Sequence, residues 1–240
     1  MYSFNSRVRY SEVDQDRKLS VTAMINYLQD CSTFHSESLG AGMGYLEKKN
    51  RAWMLSSWQI VVDRYPELGE EIVVGTWPYD FKGIYGYRNF TIQDTAGNYL
   101  VKANSVWFLF DTAIGRPTRV EDQDSRMYRD SEEARLDMDY APRRITLPSE
   151  YQEGEPITVV RHHIDTNRHV NNAQYVEIAR EALPKDVRIR ELRVEYKKAA
   201  VLGDVMIPRL CQQEGSLAVS LCDQEGTQYA VVWLRADETL

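Results

Sequence analysis

The chain has 240 residues, 43% of them hydrophobic and 11% aromatic, with 15 Tyr and 5 Trp, which suffices for a packed core and excludes a disordered chain. Its net charge of −7 argues against nucleic acid as the main partner, because phosphate binding needs a basic footprint. No run approaches the roughly eighteen apolar residues of a membrane span, Met1 to Asp14 lacks the apolar core of a signal peptide, and Cys31, Cys211 and Cys222 have no metal-type spacing. These features predict a cytoplasmic protein with reduced thiols and no membrane contact.

In chain order, Val21, Met24, Ile25 and Leu28 recur at helical spacing and predict a helix from about Ser20 to Leu39. Ser20 or Thr22 can cap it and Gly40 can end it. The cluster Gly40-Ala41-Gly42-Met43-Gly44 reads as the helix stop and a flexible turn. Strand-like runs follow at Trp53–Val62, Ile72–Trp77, Tyr85–Gln93 and Tyr99–Phe110. Turn signals at Pro66 with Gly69, Lys82-Gly83 and Ala96-Gly97-Asn98 separate them. From Arg116 to Pro156 acidic residues crowd a weakly periodic stretch, read as a linker or crossover with room for one short helix.

The pattern then begins again. A strand is predicted over Ile157–His163, and a helix over Asn171–Leu183, capped by Asn and stopped by Pro184. Strands are predicted at Ile189–Tyr196, Val205–Cys211, Leu217–Leu221 and Tyr229–Leu234. A helix followed by strands thus occurs twice. Asp14-Gln15-Asp16-Arg17-Lys18-Leu19 matches Asp165-Thr166-Asn167-Arg168-His169-Val170, Ile25 keeps step with Val176 and Leu28 with Ala179, and Leu68-Gly69-Glu70 parallels Leu202-Gly203-Asp204. A duplication explains this, with one half over residues 1–120, a connection over 121–156 and a second half over 157–240. Strands beside one long helix indicate an α+β unit with an antiparallel sheet. The second helix is apolar or small at Ala173, Tyr175, Val176, Ile178, Ala179, Ala182 and Leu183, so a sheet should enclose it.

Asp165-Thr166-Asn167-Arg168-His169-Val170-Asn171-Asn172 gathers a carboxylate, an amide and an imidazole at alternate positions just before a helix start. If the segment is extended, the three side chains share a face. The free N–H groups of the helix start favour developing negative charge, which suits acyl transfer through an oxyanion. His169 is a candidate general base towards water, since an ordinary imidazole titrates near neutrality. Asp165 either orients His169 or activates water, and Asn167 positions the carbonyl or the water. The competing reading is polar capping, for which Asp and Asn before a helix are common. No zinc-like ligand set, Walker loop, dinucleotide fingerprint or G-x-S-x-G elbow is present, so no cofactor or metal is expected. His162 and His163 are read as structural or exposed, and His35 as lying in the first helix without an evident partner.

The string D-x-N-x-H-V-N-N over Asp165–Asn172 resembles the active-site segment of the acyl-acyl carrier protein (acyl-ACP) thioesterases of plants and bacteria. Nearly the whole chain carries the resemblance: Asn26-Tyr27-Leu28-Gln29, Val61-Val62-Asp63-Arg64-Tyr65-Pro66, Ser105-Val106-Trp107 and Leu192 to Leu202 follow family patterns. The resemblance implies two fused hot-dog folds with one site in the C-terminal half. It also implies Asp165, Asn167 and His169 as catalytic residues and an acyl chain on acyl carrier protein as substrate. Plant members continue the strand after Glu195-Tyr196-Lys197-Lys198 with Glu-Cys, where this chain has Ala199-Ala200. A cysteine nucleophile is therefore impossible at that point, water becomes the expected attacking group, and Glu195 and Glu177 are weak candidates for the missing acid. In the first half Asp16 and Lys18 replace Asn167 and His169, and a protonated Lys is a poor base. That half is expected to be catalytically silent. Met24, Met43, Trp53, Met54 and Trp58 are candidates for lining an acyl tunnel or for plain core. The basic window Lys185–Lys198 is a candidate docking patch for the acidic carrier or simply a solvated edge. An acyl-coenzyme A thioesterase, a hot-dog dehydratase and a non-catalytic acyl-binding module are the competing functions. Both a monomer and a homodimer are compatible with the sequence.

Overall fold

In a computed structural model, residues 1–129, 133–183, 187–213 and 215–236 are described. The chain forms two compact units. The first comprises Met1–Ser56 with Val62–Tyr140, and the second comprises Ser57–Val61 with the chain from Ala141 onward. The connection expected over residues 121–156 thus contributes to both units, changing over after Tyr140.

In the first unit, Ser20 caps helix α1 (Val21–Ser38) by accepting from the Ala23 N–H at 3.2 Å. Gly40, at φ +69°, takes the chain out of the helix. Val21, Met24, Ile25, Leu28, Cys31 and His35 fall on one face and are buried, and α1 packs on β3 (Glu71–Lys82). Strands β1 (Tyr2–Arg7), β2 (Arg51–Val62), β4 (Tyr85–Asp94) and β5 (Tyr99–Asp111) complete an antiparallel sheet in the order β1-β3-β4-β5-β2, and the two-residue β6 (Arg116–Pro117) adds to β5. An antiparallel sheet packed on one long helix is the hot-dog arrangement.

The sequence pattern misses three features of this unit. Strand β1 alternates Tyr2, Phe4 and Ser6 inward against exposed Ser3, Asn5 and Arg7, so only two of its inward residues are strongly apolar. Strand β3 runs past Pro78 because the register with β4 shifts between Pro78 and Asp80, a bulge where a missing N–H is tolerated. After the turn at Gly42, a short helix α2 (Met43–Lys48) forms where only flexible chain was expected.

The crossover is pinned rather than loose. A short helix α3 (Asp122–Arg126) precedes the buried Tyr128. The Asn89 side-chain oxygen accepts from the Leu136 N–H at 3.0 Å and the Tyr140 O–H at 2.9 Å, while Trp77 Nε1 donates to the Ala134 carbonyl at 2.9 Å. Within the second unit, Gln59 Oε1 accepts from the Ala141 N–H at 2.9 Å and Glu195 Oε2 from the Ile145 N–H at 3.0 Å. Irregular chain lies this close to a core only when its polar groups find such partners.

In the second unit, α4 (Asn172–Glu181) buries Ala173, Tyr175, Val176, Ile178 and Ala179 against β11 (Ser216–Cys222) and β12 (Gln228–Ala236). With β9 (Ile189–Tyr196) and β10 (Val205–Gln213), the order is β9-β12-β11-β10, antiparallel throughout. Residues Ser57–Val61 of β2 pair with β9, and the two-residue strands β7 (Gln152–Glu153) and β8 (Ile157–Thr158) pair with β10. The expected strand Ile157–His163 is therefore only two residues long. It ends in a 3₁₀ turn over Arg161–His163, where the His163 ring nitrogen accepts the Val160 N–H at 3.2 Å. Pro184, the expected helix stop, lies outside the described residues.

Candidate active site

The segment Asp165–His169 is a tight turn, not an extended strand, so the shared-face expectation for Asp165, Asn167 and His169 does not hold. Arg168 sits at φ +63°, a left-handed conformation that reverses the chain. The Asp165 N–H donates to the His169 carbonyl at 2.8 Å and the Arg168 N–H to the Asp165 carbonyl at 3.1 Å. Asp165 Oδ1 accepts the Asn167 N–H at 2.8 Å and the His169 N–H at 3.4 Å. One oxygen of the Asp165 carboxylate therefore holds the turn, the capping use of an Asp before a helix, and among the described residues the carboxylate makes no hydrogen bond to the His169 ring. The turn gathers all three residues at the start of α4, where Asn171 caps the helix by accepting from the Ala173 N–H at 2.9 Å. Asn167 is exposed and His169 half-buried. The side chains of both form no hydrogen bond with another described residue, which leaves them available to a ligand.

The first unit builds the same loop. Asp14 Oδ1 accepts the Asp16 N–H at 2.9 Å and the Lys18 N–H at 3.0 Å, and Arg17 sits at φ +58°. The Leu19 N–H donates to the Pro66 carbonyl at 2.8 Å, as the Val170 N–H does to that of Ala200 at 2.9 Å. Gly69 at φ +82° and Gly203 at φ +90° mark the same left-handed corner, donating to the carbonyls of Val8 and Val159 at 2.9 and 3.0 Å. The aligned sequence segments thus superpose as hydrogen-bond patterns.

The two loops differ at their tips. In the first unit the Leu68 N–H donates to the Arg17 carbonyl at 2.9 Å and Lys18 forms an ion pair with Glu67. These contacts zip the tip to the neighbouring turn. In the second unit His169 takes the place of Lys18, and Val201 that of Glu67. No bond joins Leu202 to Arg168 among the described residues. The tip is open, beside a lip formed by Val201 and Leu202, which are 44% and 56% exposed.

The acyl-ACP thioesterase N-terminal domain family matches residues 1–128, and the C-terminal domain family matches residues 147–231. The chain belongs to the acyl-ACP thioesterase family. It is 27% identical over 214 residues to a chloroplastic acyl-[acyl-carrier-protein] hydrolase of Cuphea viscosissima, covering 83% of this chain and 51% of that protein. To the chloroplastic palmitoyl-acyl carrier protein thioesterase of Arabidopsis thaliana it is 25% identical over 234 residues, covering 91% and 55%. The chain spans about half the length of the curated relatives it matches. Its fold is similar to that of an acyl-ACP thioesterase from Bacteroides thetaiotaomicron, with TM-score 0.88, 23% identity and 97% and 96% of the two chains covered. It is also similar to the 12:0-ACP thioesterase from Umbellularia californica, with TM-score 0.83, 22% identity and 97% and 96% covered.

Glu195 spends its carboxylate on the Ile145 N–H and lies 3.7 Å from Lys197 Nζ, and Glu177 pairs with Arg180 at 3.4 Å. Among the described residues, the Glu195 carboxylate makes no hydrogen bond to the Asp165–His169 loop. Ala200 is fully buried, its N–H donating to the Tyr175 hydroxyl at 2.9 Å, a link that residue chemistry before folding gives no reason to draw. His163 is buried with its ring nitrogen accepting from the Val160 N–H, and burial, with His162 beside it, lowers its pKa. Burial also pushes the Cys31 thiol up to about 12, so it is no nucleophile at neutral pH. Of the basic window, Lys185 lies outside the described residues, while Lys198 pairs with Asp223 at 2.9 Å. Among the tunnel candidates Met24 and Trp58 are buried, Trp53 and Met54 half-buried, and Met43 is exposed.

Proposed function

We propose that this chain hydrolyses the thioester of a fatty acyl chain carried on an acyl carrier protein, adding water to release the free fatty acid and the carrier thiol. The observation that carries this reading is the contrast between the loops. The same scaffold is zipped shut over Lys18 in one unit and left open over an unengaged imidazole in the other.

In this mechanism His169 takes a proton from water as the water attacks the thioester carbonyl. The start of α4 and the Asn167 amide supply donors for the oxyanion, and collapse expels the thiolate, which takes up the proton. Asp165 acts by fixing the turn from which Asn167 and His169 project. Ala199 and Ala200 offer no nucleophile, so no acyl-enzyme forms. The first unit is silent: the place of the imidazole is taken by Lys18, engaged in an ion pair with Glu67. Lys197 and Lys198 meet the acidic carrier.

The test is thiol release from a panel of acyl carrier proteins bearing chains of about eight to eighteen carbons, with wild type and His169→Ala. The variant should lose on the order of a hundredfold or more in turnover, the loss expected for a general base. Undiminished turnover removes His169 from the mechanism. Acyl binding without release from any carrier overturns the hydrolase reading in favour of a binding module. Faster release from coenzyme A than from the carrier, for the same chain, changes the substrate.

A further inference from the structure

The two units differ at a second, buried pair of positions behind the loop. In the second unit the Tyr175 side chain is 3% exposed, and its oxygen accepts the Ala200 N–H at 2.9 Å. The Ala200 carbonyl in turn accepts the N–H of Val170, the residue after His169, at 2.9 Å. The Tyr175 ring is set edge-on to Tyr196 with centroids 5.6 Å apart, and Tyr196 is itself tied to the Asn172 carbonyl at 2.9 Å. Two hydrogen bonds thus connect the first turns of α4, through the Ala200 peptide, to the backbone beside the imidazole.

In the first unit the corresponding positions are Met24 and Pro66. The second link survives there as Leu19 N–H to Pro66 carbonyl at 2.8 Å. The first cannot exist, because proline has no N–H and a thioether is at best a weak acceptor. The loop therefore folds without the Tyr175–Ala200 bond. What the first unit has instead is the zipper at the tip, Leu68 to Arg17 and Lys18 to Glu67. One unit holds the edge from the front and closes the site; the other holds it from behind and leaves the front open.

We propose that Tyr175 is a positioning residue for hydrolysis at His169: its hydroxyl fixes the Ala200–Val201 edge and the Val170 backbone in place of the tip contacts that the open site has given up. This rests on the reading of the Asp165–His169 loop as the active site. Replacement by Phe removes one oxygen and leaves the ring in place. Tyr175 is buried and is tied to the loop by backbone hydrogen bonds through Ala200, so its loss should leave binding in place while the geometry of attack suffers. Misplacement of this kind costs roughly ten- to a hundredfold in rate.

The experiment measures kcat and KM for acyl-ACP, thermal midpoint and folded fraction for wild type, Tyr175→Phe, the double variant Tyr175→Met/Ala200→Pro and His169→Ala. The double variant installs the pair that the first unit already accommodates. Tyr175→Phe should lose about tenfold or more in kcat per folded molecule with KM within about twofold, and the double variant should be folded and comparably slow. Wild-type kcat in Tyr175→Phe, or a deficit fully accounted for by unfolded protein, overturns the proposal while leaving the site intact if His169→Ala is inactive. A folded double variant with wild-type kcat overturns it equally. Full turnover by His169→Ala instead fells the site reading itself.

Discussion

Acid should destabilise the first unit through a single imidazole. His35 is 1% exposed, and its Nδ1 lies 2.9 Å from Nη1 of Arg88, which is also buried. Tyr2 stacks on the ring at 5.4 Å, Tyr128 meets it edge-on at 5.7 Å, and the chain's amino terminus adds a further positive charge. Protonation would bury a second cation against the guanidinium, so burial first and Arg88 second push the His35 pKa down to about 3. The unfolded chain takes up this proton near pH 6.5 and the folded one does not. Stability is then fully present above about 6.5 and falls as the pH drops from there towards 3, by about 1.4 kcal/mol per unit. Between pH 7 and pH 5 this group alone costs about 2 kcal/mol. His35→Gln keeps an acceptor for Arg88 and removes the titration. Urea unfolding of both proteins at pH 7 and pH 5 isolates the term, because every carboxylate and the other three histidines cancel in the double difference. Wild type should lose about 2 kcal/mol more than the variant over that interval. Equal losses would refute the assignment of a neutral, acid-sensitive His35.

Four further outcomes follow from the loops and their surroundings. Asp165→Asn keeps an oxygen for the Asn167 and His169 N–H groups and should retain most turnover, whereas Asp165→Ala should lose about 1 kcal/mol of stability and most turnover; comparable loss in both would show that the charge itself is used in catalysis. Asn167→Ala should slow turnover without shifting the urea midpoint, and a shifted midpoint would make Asn167 a structural residue. Arg17→Gly relieves a left-handed arginine in the silent unit and should raise the midpoint of thermal unfolding by a few degrees, for about 0.5–1 kcal/mol, with turnover unchanged; a lower midpoint would show that the Arg17 side chain contributes to the fold. Reversing Lys197 and Lys198 should raise KM for the carrier-bound substrate more at low than at high salt, and a salt-independent KM would move the docking surface elsewhere.

Much of the fold was legible because the elements carry strong local signals. Strand β9 falls on Ile189–Tyr196 as the pattern predicts, and α1 is capped at Ser20 with Gly40 turning the chain away just beyond its end. What escaped was set by tertiary partners. Strand β1 is an edge with only Tyr2 and Phe4 as strongly apolar inward residues and gains its identity by pairing with β3, and the crossover owes its order to Asn89, Gln59 and Glu195, which lie on distant strands. At the candidate site the residue types were legible and their geometry was not. A D-x-N-x-H string read as extended puts three side chains on one face. The left-handed Arg168 and the Asp165 oxygen on two N–H groups fold the same string into a turn held by one oxygen of the carboxylate.

The duplication explains why some positions of the loop are informative and others are not. Asp14 and Asp165, Arg17 and Arg168, and Gly69 and Gly203 make the same contacts or hold the same backbone in both units, so the turn alone accounts for their presence in the second unit. The informative positions are those where one scaffold carries different residues: Asp16 against Asn167, Lys18 against His169, Glu67 against Val201, Met24 against Tyr175 and Pro66 against Ala200. The exposed Lys18–Glu67 pair adds little stability of its own, as is usual for solvated ion pairs, so its exchange for His169 and Val201 costs the fold little. Losing the Leu68–Arg17 backbone bond removes a genuine restraint on the edge, and the buried bond from Ala200 to Tyr175 is a contact on that edge that the first unit lacks. An open catalytic loop and a buried tyrosine behind it are therefore two parts of one exchange, which is why the variants that test them belong in a single assay.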